Sequence, residues 1–282
     1  MPFPVFPGHL TLSPVSCCRR IDRSKGDEMG KSGSLAAALL IAPLLLVSQC
    51  AAITYERPTP DKAEVEEAKA TINRASAPTK SGKTVDELVD MADRAAQRLR
   101  STMPPICAAI QSETCNFSLR IADSEIVNAF ADENGVVWIT VALLQYLGST
   151  DAIAAILAHE VAHRLNGDDV STMVAMRRHQ TMRYALGGSS PASAASRFSG
   201  SARYMITREA DADYLAAFLL KRADYDLAAG ETVWITFAKA GDKRAASITA
   251  THPLSAERLA AWRKIAAQIE ADPNALPTLA RE

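Results

Sequence analysis

The chain has 282 residues, of which 48% are hydrophobic and 6% aromatic, enough apolar material for one sizeable core. Its 31 basic and 32 acidic residues almost cancel, to a formal net charge of −1. We therefore expect no nucleic-acid partner, because that interaction needs clustered Lys and Arg that displace counterions from phosphates. Alanine- and leucine-rich stretches dominate the sequence and favour helix over strand.

The first fifty residues have the pattern of an export signal. An apolar run, Leu35–Val47, follows Lys31 and would be about 20 Å long as a helix, short of a ~30 Å hydrocarbon core. A basic flank, a short apolar run and then small or polar residues are typical of a secretory signal peptide. A buried core helix or a short membrane anchor is the alternative. We predict that residues 1–50 are an upstream extension and a signal peptide, with the natural start at Met29.

Cys50 ends this segment and resembles the lipidated cysteine of a bacterial lipoprotein signal. Gln49 departs from that pattern, because the preceding residue is normally small, and ordinary cleavage near Ala52 is the alternative. Both interpretations predict a periplasmic protein, anchored in the outer membrane of a Gram-negative bacterium if lipidated. No apolar run of about 20 residues follows Val47, so we expect membrane contact only through a lipid anchor.

Cys107 and Cys115 are the cysteines that remain after Cys50. In an oxidising compartment such a pair favours a disulfide over a metal site. Two free buried thiols are the alternative.

The remaining sequence divides into a polar linker over 51–83, a folded domain over 84–272 and a tail over 273–282. The linker is rich in proline and charge, and the domain opens with an amphipathic helix, Val85–Leu99. Apolar runs and a hairpin signal at Asn134-Gly135 predict strands. These strands are expected at Phe117–Ile121, Ile126–Phe130 and Val136–Val141.

After the last strand the sequence is helical almost to its end. The segment Gly187–Gly200 is rich in Gly, Ser and Pro and predicts a flexible loop, a candidate lid over a site. The helices are expected at about 151–165, 168–185, 203–221, 223–238 and 254–271. The predicted fold class is α+β, predominantly α-helical, with a small sheet or hairpin ahead of the helix over 151–165.

That helix carries the motif His159-Glu160-Val161-Ala162-His163. Spacing of i and i+4 puts both imidazoles on one helix face, where two ring nitrogens can reach one zinc ion at about 2.0–2.1 Å. Glu160 lies about 100° around the helix from His159, beside such an ion, where it can take a proton from an activated water. Packed or solvated histidines are the ordinary alternative for this short pattern.

The third ligand is sought among later carboxylates. Asp169 is one candidate, because it occupies the third-ligand position of the longer zinc motif, but Asn166 stands where that motif has glycine. Glu209 is the better candidate: it shares a helix face with Asp213, which could orient a ligand histidine. A solvated acidic stripe is the alternative, and the apolar run Leu215–Leu220 argues against it.

These motifs resemble those of the M48 family of zinc peptidases. The resemblance covers residues 126–258, with blocks in the family's order at Ile126–Ala131, Val136–Val141, Ile153–His163, Glu209–Asp213 and Thr251–Pro253, followed by Arg258. It implies a zincin-like fold and one Zn²⁺ per chain. It also implies that Glu209 is the third ligand and that Asp213 supports the site.

His252 and Arg258 are further candidate catalytic residues. His252 could donate to an oxyanion or occupy the open coordination position. In periplasmic members of the family the corresponding histidine lies near the zinc and can cap it at rest. Arg258 could pair with Asp213 or contact substrate. For His252, an ordinary place in a helix N-terminal turn is the alternative.

Two functions are expected from this resemblance. The first is a zinc endopeptidase that degrades unfolded or misfolded envelope proteins, with Glu160 as general base. An extended substrate could then add to the edge of the Val136–Val141 strand. The alternative is a periplasmic chaperone or assembly factor for outer-membrane proteins, working with the outer-membrane assembly machinery, whose zinc site is largely autoinhibited.

Overall fold

The computed structural model describes residues 53–112, 114–168, 191–239, 252 and 255–280, with backbone alone over 191–205 and at 239. These residues form eight α-helices and three β-strands. In chain order they are α1 Lys62–Arg74, α2 Val85–Thr102, α3 Pro104–Ala109, β1 Ser118–Ala122, β2 Ala129–Ala131, β3 Val136–Thr140, α4 Val141–Leu147, α5 Thr150–Leu165, α6 Pro191–Arg222, α7 Leu227–Lys239 and α8 Ala256–Ala271.

Polar side chains mark the starts of the helices. The side chains of Asp61 and Thr84 each accept a hydrogen bond from the backbone N–H of a glutamate three residues later. That glutamate's side chain accepts one from the backbone N–H of Asp61 or Thr84, so α1 and α2 both begin with a capping box. Ser149 caps α5, and Ser255 caps α8. Local sequence therefore determines where these helices begin.

The three strands form one mixed sheet in the order β1-β3-β2. β3 runs parallel to β1 and antiparallel to β2, with Leu119 opposite Val137 and Phe130 opposite Trp138. Gly135 turns the β2–β3 connection at a φ of 80°, the left-handed conformation that glycine adopts without strain. The hairpin predicted at Asn134-Gly135 is confirmed.

The central position of β3 corrects one expectation. Val136–Val141 was predicted to offer a free edge to an extended substrate, but β3 is hydrogen-bonded on both sides, and its last residue is Thr140 because Val141 begins α4. A strand with neighbours on both sides has no unpaired backbone groups to offer. Within the described residues, the edges of the sheet are β1 and β2.

Helix α5 lies in the middle of the hydrophobic core. It packs against α2, α6 and α7 and contacts the sheet through β2 and β3. Its alanines and aliphatic residues are buried all around the helix, as expected for a helix surrounded by protein. The predicted fold class is confirmed: the described residues form a predominantly α-helical α+β fold with a small mixed sheet ahead of α5.

The segment predicted as a polar linker is largely folded. Residues Lys62–Arg74 form α1, which packs against α8, and Tyr55 is 5% exposed within the core. Tyr55 also forms an antiparallel bridge with Leu279 in the predicted tail. The polar composition was misleading because an amphipathic helix with one narrow buried stripe needs few apolar residues.

The predicted loop Gly187–Gly200 is also corrected. Residues 191–200 belong to α6, and residues 187–190 lie outside the described residues. Alanines in this stretch favour helix, so the serines and the proline do not by themselves produce a loop. The remaining predicted helices agree with α5, α6, α7 and α8. The helix predicted over 168–185 lies outside the described residues except for Asp168, and the predicted signal, Met29 and Cys50 lie outside them as well.

None of the helices in the described ranges has the length and apolar character needed to cross a bilayer.

The predicted disulfide between Cys107 and Cys115 is confirmed. It joins α3, whose Cys107 is buried, to the segment that leads into β1. The bond therefore ties the sheet to the helices that precede it.

Replacing both cysteines by serine should lower the free energy of unfolding by about 2–3 kcal/mol, because the unfolded chain regains the entropy of a short closed loop. Urea unfolding measures the loss. Reducing the wild-type protein should give the same shift and should leave the double variant unchanged. A wild-type midpoint that does not respond to reductant would contradict this expectation.

Candidate metal centre

Helix α5 brings its two motif histidines together in the core. His159 is buried, His163 is mostly buried, and their Nε2 atoms lie 3.1 Å apart. The two rings meet edge to face with centroids 4.6 Å apart. The i, i+4 spacing therefore directs both imidazoles to one point, as the sequence predicts.

Glu209 of α6 reaches the same point from the opposite side. Its Oε2 lies 3.4 Å from His159 Nε2, and its Oε1 lies 3.3 Å from His163 Nε2. Glu209 is almost fully buried. The structure thus brings together the three residues predicted as ligands, and Asp169, the alternative, lies outside the described residues.

His252 joins this group as a fourth donor. Its Nδ1 lies 3.3 Å from His159 Nε2 and 3.2 Å from Glu209 Oε1. Its Nε2 lies 3.4 Å from Oε1 of Glu160, which is buried beside the histidines. His252 therefore does not serve as an ordinary residue of a helix N-terminal turn.

The spacing of these donors fits a metal ion. A tetrahedral zinc site with ligands at about 2.0–2.1 Å has neighbouring ligand atoms about 3.3 Å apart. The separations between these ligand atoms, 3.1 to 3.4 Å, match that value. Imidazole and carboxylate donors are also the chemistry that zinc accepts. His159, His163, Glu209 and His252 could together hold one ion.

Asp213 and Arg258 contact the outer atoms of this group. Asp213 Oδ1 lies 3.0 Å from Nδ1 of His159, on the far side of that ring from the ligand atom. Arg258 donates to both carboxylate oxygens of Asp213 at 2.8 Å and lies 2.9 Å from Glu209 Oε2. Arg258 therefore pairs with Asp213, one of its two expected roles. The Asp213 contact lies at Nδ1 of His159, which leaves Nε2 of that ring facing His163 and Glu209.

The surrounding charges keep the carboxylates ionised. Burial alone would raise the pKa of Glu209, but the charges of Arg258, His163 and His252 outweigh it and hold that pKa well below its ordinary value. The pKa of Asp213 is also lowered, because the Arg258 guanidinium outweighs the effect of burial. Both side chains are thus anions, the form in which carboxylates bind or support a cation.

Sequence reasoning missed two residues around the centre. Asp168 Oδ2 lies 2.7 Å from Nδ1 of His163, and its signal was its place just beyond the helix end. Trp234 of α7 lies against His159, with ring centroids 5.1 Å apart, and Arg258 lies 4.9 Å over its ring. No local motif marks Trp234, because its place follows from how α7 packs on α5.

Comparison with known protein families agrees with this geometry. The sequence model described as peptidase family M48 matches residues 93–266, more than half of the chain. The chain belongs to the M48 peptidase family. Members of this family are zinc metallopeptidases, so at the family level the protein is a metalloprotease. The comparison with curated protein sequences gave no match.

Proposed function

We propose that this M48 protein is a zinc-dependent endopeptidase that cleaves misfolded or exported proteins of the bacterial envelope. The observation that carries the proposal is the buried group of His159, His163 and Glu209, with Glu160 beside it. The assignment of the first three as zinc ligands and of Glu160 as general base remains a prediction.

The reaction follows from the position of Glu160. A bound zinc ion would supply Lewis-acid chemistry, lowering the pKa of a water to about 7 and polarising the peptide carbonyl. Glu160 then takes the proton from the attacking water and later passes it to the departing amine. Asp213 and Arg258 hold His159 and Glu209 in place during these steps. In this scheme Arg258 positions the site and need not touch the substrate.

The substrate is an extended peptide that adds to the edge of β2. This strand contacts α5, and within the described residues no other strand pairs with its outer edge. Phe130 on β2 is 45% exposed and stacks against Trp138, with ring centroids 6.3 Å apart. Backbone pairing makes recognition tolerant of sequence, which suits a protease that acts on unfolded chains.

Two features support an envelope location. The Cys107–Cys115 disulfide requires an oxidising compartment to persist, as the periplasm provides. The sequence before residue 50 has the pattern of a signal peptide, and Cys50 that of a lipidated residue. Both features fit substrates met outside the cytoplasm.

The direct test is a zinc measurement joined to a proteolysis assay. The purified protein should contain about one zinc per chain and should degrade an unfolded protein such as casein. Removing the metal with a chelator should stop hydrolysis, and added zinc should restore it. A protein without zinc that still cleaves casein would refute the proposed mechanism.

A second function is favoured by the position of His252. Its Nδ1 approaches His159 and Glu209 as closely as they approach each other, so it can occupy the coordination position that water needs. A site closed in this way is inactive at rest. In that state the protein would act mainly as a chaperone or assembly factor for outer-membrane proteins.

Replacing His252 with alanine should increase casein hydrolysis, because it frees the fourth position. If one wild-type molecule in ten is open, the increase is about 10-fold. Initial rates at saturating zinc measure it, and zinc content serves as the control for ligand loss. If the rate falls while the zinc content stays full, His252 instead donates a hydrogen bond to the oxyanion of the transition state.

A further inference from the structure

Helix α6 carries two functional faces. Glu209 and Asp213, spaced i and i+4, face the histidines of α5. Arg208 and Asp211, spaced i and i+3, lie on another face and are equally buried. The proposed mechanism uses the first face and leaves the second without a role.

The second face is connected to His163. Arg208 Nε donates to Oδ1 of Asp168, and the other oxygen of Asp168 contacts His163 Nδ1 at 2.7 Å. Gly167, just after the end of α5, has a φ of 72°. This left-handed turn precedes Asp168, whose side chain contacts His163. A residue beside Glu209 on α6 thus fixes the partner of a histidine on α5.

The same face is held by the chain segment Ile53–Arg57. Arg208 donates to the Ile53 carbonyl at 2.7 Å, and Arg57 Nε lies 2.6 Å from Asp211 Oδ1. Among the described residues, ion pairs on this face join two arginines, Arg57 and Arg208, to two aspartates, Asp168 and Asp211. Such pairing makes a largely buried network tolerable, whereas the loss of one member leaves its partner without that ion pair.

Tyr55 connects this segment to the end of α5. Its hydroxyl donates to Asn166 Oδ1 at 2.6 Å, and its ring lies 5.1 Å from that of Tyr214. Burial raises the pKa of Tyr55, so it remains a neutral donor. Backbone bonds from Glu56 to Thr278 and from Ala280 to Thr54 hold the segment in place.

We propose that Ile53–Arg57, Asp168, Arg208 and Asp211 form a brace that positions His163 and thereby sets the metal affinity of the centre. His163 needs such support because it lies in the last turn of α5 and is more exposed than the other two predicted ligands, His159 and Glu209. Asp168, Arg208 and Asp211 lie within the family-matched residues 93–266, whereas the segment Ile53–Arg57 lies before them. This inference rests on the proposed zinc site.

The test measures zinc affinity in full-length variants by competition with a chromophoric chelator. Asp168→Asn should raise the Kd for zinc by about 10–100-fold, the usual effect of losing the partner of a ligand histidine. Arg57→Gln should raise it by a smaller factor, because it acts on His163 through Asp211, Arg208 and Asp168. The Co²⁺-substituted forms of both variants should show shifted visible absorption bands.

Arg98→Gln is the matched control, because Arg98 makes a similar ion pair with Asp224, at 2.7 Å, on the exposed surface. It should leave zinc affinity and the Co²⁺ spectrum unchanged. Tyr55→Phe, which removes one hydroxyl and keeps the ring, provides a milder test if Arg57→Gln fails to fold. It should also weaken zinc binding.

Wild-type zinc affinity and spectrum in Asp168→Asn and in a folded Arg57→Gln or Tyr55→Phe would overturn the brace. Lower thermal stability of the metal-free variants with unchanged zinc Kd would overturn it as well, since the network would then be only structural. A wild-type protein that binds no zinc would instead refute the proposed function.

Discussion

The Glu160→Gln protein should retain its zinc and lose casein hydrolysis by about 10²–10⁴-fold, the range for removing a general acid–base. Glutamine keeps the shape of glutamate but cannot accept the proton from water. Glu160 is not among the group whose ligand atoms could hold the ion, so zinc binding should survive. The rate of casein hydrolysis at saturating substrate measures the loss of activity, and the zinc content of the same sample measures metal retention.

Glu270→Gln is the control for this variant, because Glu270 is an exposed glutamate on α8, and its activity should equal that of the wild type. Suppression of protein aggregation, measured with Glu160→Gln, separates the two proposed functions. A chaperone role should survive in this variant. Casein hydrolysis at the wild-type rate would remove Glu160 from the mechanism.

Arg258→Gln should have the largest effect on stability. Its guanidinium is buried and makes ion pairs with two buried carboxylates, Asp213 and Glu209. Removing one partner of a buried pair leaves an uncompensated charge and costs about 3–5 kcal/mol. We expect that loss in the free energy of unfolding of the metal-free protein, measured with urea in the presence of a chelator.

Arg263→Gln on the same helix is the matched control. Arg263 also makes a close ion pair, with Glu231, but both side chains are partly exposed, so its loss should cost about 1 kcal/mol or less. Arg258→Lys should fall between the two, because lysine keeps the charge but cannot donate to both oxygens of Asp213 in the same way. Equal effects of Arg258→Gln and Arg263→Gln would contradict the role given to Arg258.

Trp234 packs against both the metal centre and Arg258. Its ring contacts both His159 and the guanidinium of Arg258, so α7 covers the centre from the side of the core. An apolar cover of this kind strengthens the charge interactions beneath it, because it excludes water. The site is therefore stabilised by packing as well as by its ion pairs.

Features that depend on local spacing were predictable from the order of the amino acids. The i, i+4 histidines, Glu160 between them and the Glu209–Asp213 pair follow from helical periodicity. Ser149 at the start of α5 and Gly135 in the hairpin follow from local backbone chemistry. These signals suffice because neighbours along the chain remain neighbours in a helix or a turn.

Contacts between segments that lie far apart in the chain could be read only from the folded structure. The central place of β3 and the link from Arg208 to Ile53, 155 residues apart in the chain, have no local signature. The polar segment before Lys62, part of the predicted linker, also carries no local signal of its burial. Its burial depends on partners in α5, α6 and the chain end, and burial of polar groups is tolerated only where such partners exist.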